Sequence, residues 1–257
     1  MTQTEVIVVA KETIAPAWWR LTLAAPELAD RLTPGQFLLV RCADRFTCYL
    51  RRPIFPAALD KDQLTLLLQP DPDPGLAWLL TRQPGDPLDV LGPLGSGFPL
   101  PDKTRNLLLV SDDQNIAPLL GQMCRAVADG VAVTLVLGGS RAANLYPVSA
   151  LPEVVEFQAA TLDGSLGHRG SITDLLPNLL AWADLVCAVG SSSLYLALQA
   201  QADKVRFGAT SGFVYGLLIR PLVCGVGACL SCAITTPTGP KLICVDGPVF
   251  DMAQLNL

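Results

Sequence analysis

Four cysteines close to the carboxyl end constrain the fold of this chain more than any other feature. With four, two and eleven residues between successive members, they are Cys224, Cys229, Cys232 and Cys244. The spacing is that of plant-type iron–sulfur proteins, in which cysteine thiolates bind a [2Fe–2S] cluster. Gly225 and Gly227 allow the left-handed backbone that would turn N–H groups toward the bridging sulfides. The spacing therefore predicts a [2Fe–2S] cluster with these four cysteines as its ligands.

Two other interpretations of these cysteines stay open. A structural zinc ion more often binds two C-x2-C pairs separated by a longer loop, and buried cysteines can act simply as small apolar residues. The remaining cysteines are scattered along the chain: Cys42, Cys48, Cys124 and Cys187. Cys124 and Cys187 lie in apolar helix and strand patterns, which predict burial. The chain has eight cysteines, but the cytoplasm keeps thiols reduced. In a cytoplasmic protein, which the composition below predicts, they do not indicate a disulfide framework.

Composition argues against several functional classes. Apolar residues make up 51% of the chain and charged residues 16%, which favours packed cores over disorder. The net charge is −5 and no basic run is present, so a nucleic-acid partner is not expected. No continuous stretch of about 20 apolar residues offers a membrane span, and the amino-terminal residues lack a signal-peptide pattern. These observations predict a cytoplasmic protein without a membrane partner.

The composition and the predicted secondary structure change twice along the chain. Residues 1–100 contain short apolar segments separated by turns rich in proline and glycine, a pattern typical of a small antiparallel β-barrel or sandwich. Residues 101–215 alternate strand and helix patterns, including a helix over Ile172–Leu180, which predicts a parallel α/β domain of the nucleotide-binding type. Residues 216–257 are rich in glycine and cysteine and are predicted to form a small [2Fe–2S] domain. The predicted fold class is therefore α+β with three domains.

Six segments of the sequence match motifs of one known family. They are Cys224–Cys232 (CGVGACLSC), Cys244–Phe250 (CVDGPVF), Pro34–Phe37, Leu50–Ile54, Leu88–Gly95 and Asp163–Gly167. With these motifs and this order of domains, the chain resembles the electron-transfer subunit of dihydroorotate dehydrogenase B (NAD+), within the ferredoxin-reductase superfamily. The similarity runs along the whole chain and is sharpest in the cysteine-rich segment.

The resemblance implies a function in electron transfer. It implies an iron–sulfur flavoprotein subunit of an oxidoreductase rather than a stand-alone enzyme. Such a subunit relays electrons between FAD or NAD and an FMN-containing dehydrogenase in a hetero-oligomer, through the [2Fe–2S] cluster. By resemblance, the process served is pyrimidine biosynthesis.

The resemblance also implies a set of FAD-binding residues. Arg52, Pro53 and Ile54 match the start of the family's Arg-Pro-x-Ser motif, and Arg52 would pair with the FAD pyrophosphate. Phe55 replaces the serine of that motif. Gly75 is what remains of a Gly-x-Gly-Thr turn that would wrap the pyrophosphate, and the segment 71–74 before it reads Asp-Pro-Asp-Pro. These replacements bring negative charge where a phosphate would lie.

The nucleotide-binding segments depart further from the family pattern. A glycine-rich turn is expected directly after the strand Asn106–Val110, because glycine lets the backbone approach a dinucleotide phosphate. The chain has Asp112 and Asp113 there and no glycine. Val189–Ser191 replaces the Cys-Gly-Pro of the family. We therefore expect NAD(H) binding to be lost, and a cluster-only relay or scaffold subunit is the alternative function.

Two further features give weaker predictions. His168, the single histidine, lies in a glycine-rich segment and is predicted to be an exposed loop residue. No catalytic residue is predicted in this chain. The apolar segment Phe213–Ile219, just before the cysteine cluster, is predicted to be either a docking surface for the partner or a hinge into the last domain.

Overall fold

The first sheet of the protein is antiparallel and lies within the first 94 residues. The computed structural model describes residues 1–43, 48–112, 115–208 and 210–255. The strands of this sheet are β1 (Thr2–Ala15), β2 (Trp18–Ala24), β3 (Phe37–Val40), β4 (Arg52–Ile54), β5 (Pro56–Asp60), β6 (Gln63–Leu68) and β7 (Pro87–Leu94). Their order is β4-β3-β7-β1-β2-β6-β5. The two outer strands, β4 and β5, are separated in the chain only by Phe55, so the sheet must curl until its edges meet, as in a barrel.

Alternating side chains explain why this sheet has one buried face. In β6, Leu64, Leu66 and Leu68 are buried, and the residues between them are more exposed. In β7, Leu88 and Val90 show the same alternation. A period of two places these leucines and valines on one side of the strands, where they fill the interior. Two short helices pack beside the barrel: α1 (Pro26–Ala29) and α2 (Pro74–Leu80).

The second sheet is mostly parallel and carries helices. Its strands are β8 (Asn106–Ser111), β9 (Ala132–Gly139), β10 (Glu156–Thr161), β11 (His168–Arg169), β12 (Leu185–Val189), β13 (Val214–Leu217) and β16 (Val249–Asp251). Its helices are α3 (Ala117–Ala128), α4 (Leu176–Trp182) and α5 (Ser192–Arg206). The order is β11-β10-β9-β8-β12-β13-β16, and only the β13–β16 pair is antiparallel. Its five central strands have the 3-2-1-4-5 order of dinucleotide-binding folds, which confirms the predicted α/β architecture.

The helix predicted over Ile172–Leu180 is divided in the structure. A 3-10 turn covers Ile172–Asp174, and α4 begins only at Leu176. Pro177 lies in the first turn of α4. Proline has no N–H to donate to an earlier carbonyl, so it starts a helix more readily than it continues one. The predicted single helix is therefore wrong at this point.

The cysteine-rich segment returns to the second sheet at its end. It forms a hairpin of β14 (Ala233–Thr236) and β15 (Gly239–Leu242), then α6 (Ile243–Asp246), and then β16. The Ser96 N–H donates to the Gly247 carbonyl at 2.6 Å, which ties this segment to the end of the barrel. The domain limits 1–100, 101–215 and 216–257 stay predictions.

One hydrophobic core connects the two large sheets. Phe37 and Phe98 from the amino-terminal region pack in the same buried cluster as Leu108 of β8. Cys232 and Cys244 belong to this hydrophobic core as well. The cysteine segment is therefore held directly against the body of the protein. Within the described residues, no helix combines the length and apolar character needed to cross a membrane.

Candidate iron–sulfur centre and nucleotide positions

The four cysteines of the predicted cluster form two pairs in space. Cys224, Cys229 and Cys232 lie on the loop between β13 and β14, and Cys244 lies in α6. Cys229 lies beside Cys224, and Cys232 lies beside Cys244, close enough to shift the pKa of the Cys224 and Cys244 thiols. The structure thus brings together all four residues that the spacing singled out.

Backbone N–H groups of the loop point at the first cysteine. Those of Val226, Cys229 and Ala228 donate to the Cys224 sulfur and lower the pKa of its thiol to about 6, with Val226 contributing most. A thiolate is the form that binds a metal. These donors would also stabilise the negative charge of a bound cluster.

The last cysteine lies in a different environment. Burial, together with its hydrogen bond to Cys232, raises the pKa of the Cys244 thiol to about 11. The Gly227 N–H donates to the Cys244 sulfur at 3.3 Å, across 17 positions of the chain. The left-handed backbone of Gly227, with φ of 77°, turns this N–H toward the sulfur.

The arrangement in pairs suits two irons better than one zinc ion. In a [2Fe–2S] cluster with four cysteine ligands, the two irons share bridging sulfides, so each takes two thiolates. A structural zinc ion needs four ligands around one point. The donor set therefore fits the predicted cluster.

Gly225 allows the cysteine-containing loop to pack against the barrel. Its φ is 69°, and a Cβ there would lie 2.8 Å from Leu94 Cδ1 and 2.9 Å from Leu39 Cδ1. These distances are too short for carbon atoms, so a side chain there would force the buried side chains of Leu39 and Leu94, or the loop itself, to move. The sequence indicated the need for glycine but not the surface that the loop packs on.

Gly225→Ala is expected to lower iron content several-fold and to lower Tm. The matched control is Gly130→Ala, because Gly130 has φ of 73° and open space around it. Both variants carry the left-handed penalty of about 1–2 kcal/mol, so their difference isolates the packing of the loop. Iron assay and thermal unfolding measure it, and equal losses in the two variants would contradict the packing argument.

The cluster residues differ in exposure. Cys232 and Cys244 are buried, Cys224 is half-buried and Cys229 is exposed. We name three exposed apolar side chains around them the cluster rim: Val226, Leu230 and Val245. A bound cluster would therefore be nearest to solvent on the Cys224–Cys229 side.

The docking surface predicted over Phe213–Ile219 is not present as such. Phe213, Val214 and Leu217 are buried, because the segment forms β13 inside the second sheet. Ile219 is exposed. The apolar surface near the cysteines is instead the cluster rim.

The residues predicted to bind FAD lie close together. Arg52 in β4 donates from Nε to Asp73 Oδ1 at 2.8 Å and to Oδ2 at 3.0 Å. The Gly75 and Leu76 N–H groups, at the start of α2, donate to Asp73 Oδ1 at 2.8 Å and 3.0 Å. The hydrogen bond from Arg52 is the main reason that the pKa of Asp73 lies below its usual value. A carboxylate of the chain itself therefore occupies these donors.

A small cavity lies beside Pro53 and Ile54. Its volume is about 130 Å³, and Phe55, Trp18 and Leu76 also line it. Phe55 is buried, with its ring centroid 5.9 Å from that of Phe37. Within the described residues, the buried indole N–H of Trp18 has no acceptor. Ligand pockets usually measure about 300–1,000 Å³, so this cavity is small for a flavin ring.

A second carboxylate lies at the predicted nucleotide position. Asp112, which follows β8, accepts the Ser191 N–H at 2.8 Å and the Ser191 hydroxyl at 2.5 Å. A Cβ on Gly190 would lie 2.0 Å from Asp112 Oδ1. Asp112 therefore lies against the turn that precedes α5. Asp113 is outside the described residues.

The predictions for three single residues, Cys187, Cys124 and His168, have different outcomes. Cys187 is buried as predicted, whereas Cys124 is exposed on α3, so the prediction for Cys124 is wrong. The apolar pattern around Cys124 comes from neighbours that face the core, such as Met123. His168 is exposed as predicted, but it lies in the short strand β11 rather than in a loop, with its Nε2 3.1 Å from Asp174 Oδ2.

Comparison with known proteins identifies the family. Residues 220–256 match the family model for the iron–sulfur cluster binding domain of dihydroorotate dehydrogenase B. The chain is 32% identical to a dihydroorotate dehydrogenase B (NAD(+)) electron transfer subunit from Geobacillus sp. (strain WCH70), over 100% of both chains. It is 34% identical to that of Geobacillus thermodenitrificans, over 97% of both chains. The chain belongs to this family of electron transfer subunits.

Solved structures confirm the fold of this electron transfer subunit. The NADH-dependent reduced ferredoxin-NADP oxidoreductase, studied for flavin-based electron bifurcation, superposes with a TM-score of 0.78 at 26% identity. That match covers 98% of this chain and 89% of the other. A ferredoxin NADP+ reductase from Neisseria gonorrhoeae with bound FAD and NADP gives a TM-score of 0.63 at 19% identity, covering 79% and 91%. The predicted ferredoxin-reductase architecture and iron–sulfur domain are confirmed.

The cofactors implied by this family fit the chain unequally. The four cysteines and the loop N–H groups fit an iron–sulfur cluster. At the flavin position, Asp73 holds the donors that a phosphate would need. At the nucleotide position, the Asp112 carboxylate lies directly after β8, where the family has a glycine-rich phosphate turn. Two anions cannot share those donors without strong repulsion. The residues present therefore do not fit the phosphates of FAD or NAD.

Proposed function

We propose that this protein is the iron–sulfur electron-transfer subunit of a hetero-oligomeric oxidoreductase. The observation that carries the proposal is the arrangement of Cys224, Cys229, Cys232 and Cys244 in two pairs beneath loop N–H groups. A [2Fe–2S] cluster, when bound by these thiolates, supplies one-electron redox chemistry. The reaction served is proposed to be dihydroorotate oxidation in pyrimidine biosynthesis, in keeping with the names of the relatives.

The four cysteines have different roles in this proposal. Cys232 and Cys244 anchor the buried side of the centre in the protein core. Cys224 and Cys229 lie toward solvent, where a partner can approach closely. The donors on Cys224 and Cys244 stabilise charge and so tune the reduction potential. We propose the cytoplasm as the compartment, because its reducing conditions keep thiols available as ligands.

We propose that the partner is the catalytic dehydrogenase subunit, carrying FMN, and that it binds at the cluster rim. Leu230 supports this site because two local features there are unfavourable. It has φ of 59°, a left-handed conformation that costs a residue with a Cβ about 1–2 kcal/mol. Its side chain is also 63% exposed. A strained, exposed leucine between two cluster ligands is best explained by contact with a partner.

A relay without bound dinucleotides is the second candidate function. Asp73 on Arg52 and Asp112 on Ser191 favour it, because both phosphate positions are filled by carboxylates of the chain. In this form the barrel and the α/β region act as a scaffold that holds the cluster against the partner. The two candidates share the cluster and differ in the dinucleotides.

Anaerobic purification followed by metal and sulfide assay tests the cluster. We expect iron and acid-labile sulfide in the ~2:2 ratio per chain of a [2Fe–2S] cluster. We also expect visible absorption that bleaches on chemical reduction. Stoichiometric zinc without sulfide would contradict the proposed function, because it would make the cysteines a structural metal site.

A further inference from the structure

We propose that Asp73 is an internal anion that takes the place of the FAD pyrophosphate, so that this chain does not hold FAD. The inference deepens the proposed function and rests on it, because it leaves electron transfer to the cluster alone. It concerns the barrel and α2, which contain none of the cluster cysteines.

The guanidinium of Arg52 is already paired. Its Nε lies within hydrogen-bonding distance of both Asp73 oxygens, and its Nη1 donates to the Leu50 carbonyl at 2.6 Å. The side chains of Arg52 and Asp73 are mostly buried, with 22% and 32% of their surface exposed. Partial burial strengthens such a pair relative to a fully exposed one. A phosphate would have to displace Asp73 to reach the Nε of Arg52.

The backbone donors beside Arg52 are occupied as well. Asp73 Oδ1 accepts from both Gly75 and Leu76, and Gly75 is the family's remaining turn glycine. Asp73 itself donates its N–H to Asp71 Oδ1 at 2.7 Å, so a second carboxylate stands next to the first. One carboxylate therefore satisfies the same set of charged and backbone donors that a pyrophosphate requires.

A side chain fills the part of the expected FAD site where the flavin ring would lie. Phe55 stands where the family has serine, and its ring packs in the core beside Phe37. The adjoining cavity of about 130 Å³ is lined by Trp18, whose buried indole N–H has no acceptor among the residues that the structure describes. That single donor is compatible with a much smaller acceptor than a flavin. The residues at the expected pyrophosphate site and those at the expected flavin-ring site therefore both disfavour FAD binding.

Asp73 also has an ordinary structural role, which the test must separate. Aspartate is a favoured residue at a helix start, and Asp73 precedes α2. A helix cap alone would affect stability but not FAD affinity. Asp86 provides the matched control, because it pairs with Arg82 at 3.6 Å elsewhere in the barrel region.

The test is FAD content on purification, followed by FAD titration in ultrafiltration. The wild-type protein is expected to carry iron and no FAD, and to show no saturable FAD binding. Asp73→Asn keeps the size of the side chain and releases Arg52 from its ion pair. We expect this variant to show saturable FAD binding, with retained FAD at least about tenfold above the wild-type background at the same FAD concentration, and Asp86→Asn to behave as wild type. Tm measured for both variants reports the structural contribution separately.

The outcomes distinguish this inference from the proposed function. One FAD per wild-type chain would overturn the inference while leaving the cluster proposal intact. Absence of iron and sulfide would overturn the proposed function, whatever the flavin content. Unchanged FAD affinity in folded Asp73→Asn would show that Asp73 does not control this position, and it would overturn the inference too. If Asp73→Asn does not fold, the flavin content of the wild-type protein decides alone.

Discussion

Cys229→Ser is expected to remove the iron–sulfur centre while leaving the rest of the protein folded. Loss of one thiolate leaves one iron with incomplete coordination, and a hydroxyl is a poor replacement for a thiolate. Iron content should fall by at least about tenfold, and the visible absorption should disappear with it. Cys229 is exposed, so serine creates no cavity in the core. Electron transfer to the partner should be abolished in the same variant.

The control for this experiment is Cys124→Ser. Cys124 is also exposed, but it lies on α3, away from the four ligands in the chain. It should keep full iron content and the wild-type spectrum. Far-ultraviolet circular dichroism should show that both variants retain their sheets. A Cys229→Ser protein with the complete iron signal would refute the ligand assignment.

A second large effect is expected at Leu230, with opposite signs for stability and binding. Leu230→Asn should leave the isolated chain as stable as wild type or more stable, because asparagine tolerates φ of 59° better than leucine. The same change removes an apolar side chain from the proposed interface. Burial of a leucine is worth about 1.5–3 kcal/mol, which corresponds to a roughly 10–100-fold weaker Kd for the partner.

Calorimetric or optical binding assays with the catalytic subunit measure this effect, and thermal unfolding of the isolated chain measures stability. Leu162→Asn is the matched control, because Leu162 is 65% exposed against 63% for Leu230 and lies in a turn after β10. It should change neither quantity. Unaltered partner affinity in Leu230→Asn, with iron retained, would exclude the cluster rim as the docking site.

The fold could be predicted in outline because its signals are local. Alternating leucines in β6 and the continuous apolar run Leu107–Val110 in β8 each carry their period within a few residues. The predicted helix over Ile172–Leu180 was wrong because Pro177 restarts the helix, a steric effect that apolar periodicity does not register. Cys124 was misplaced for a related reason, because an apolar helix also has an outer face.

The sequence by itself determined the family resemblance, and it predicted the cluster ligands, since the spacing from Cys224 to Cys244 fits a [2Fe–2S] cluster and the glycines allow the loop. Only the tertiary structure decided which cysteines pair and what lies at the flavin position. Arg52 and Asp73 are 21 positions apart, and Asp112 and Ser191 are 79 apart. Chain spacing fixes local geometry, whereas contacts between distant residues depend on how strands and helices pack. The sequence predicted negative charge at both phosphate positions, and the packing decided which groups those carboxylates bind, namely Arg52 for Asp73 and Ser191 for Asp112.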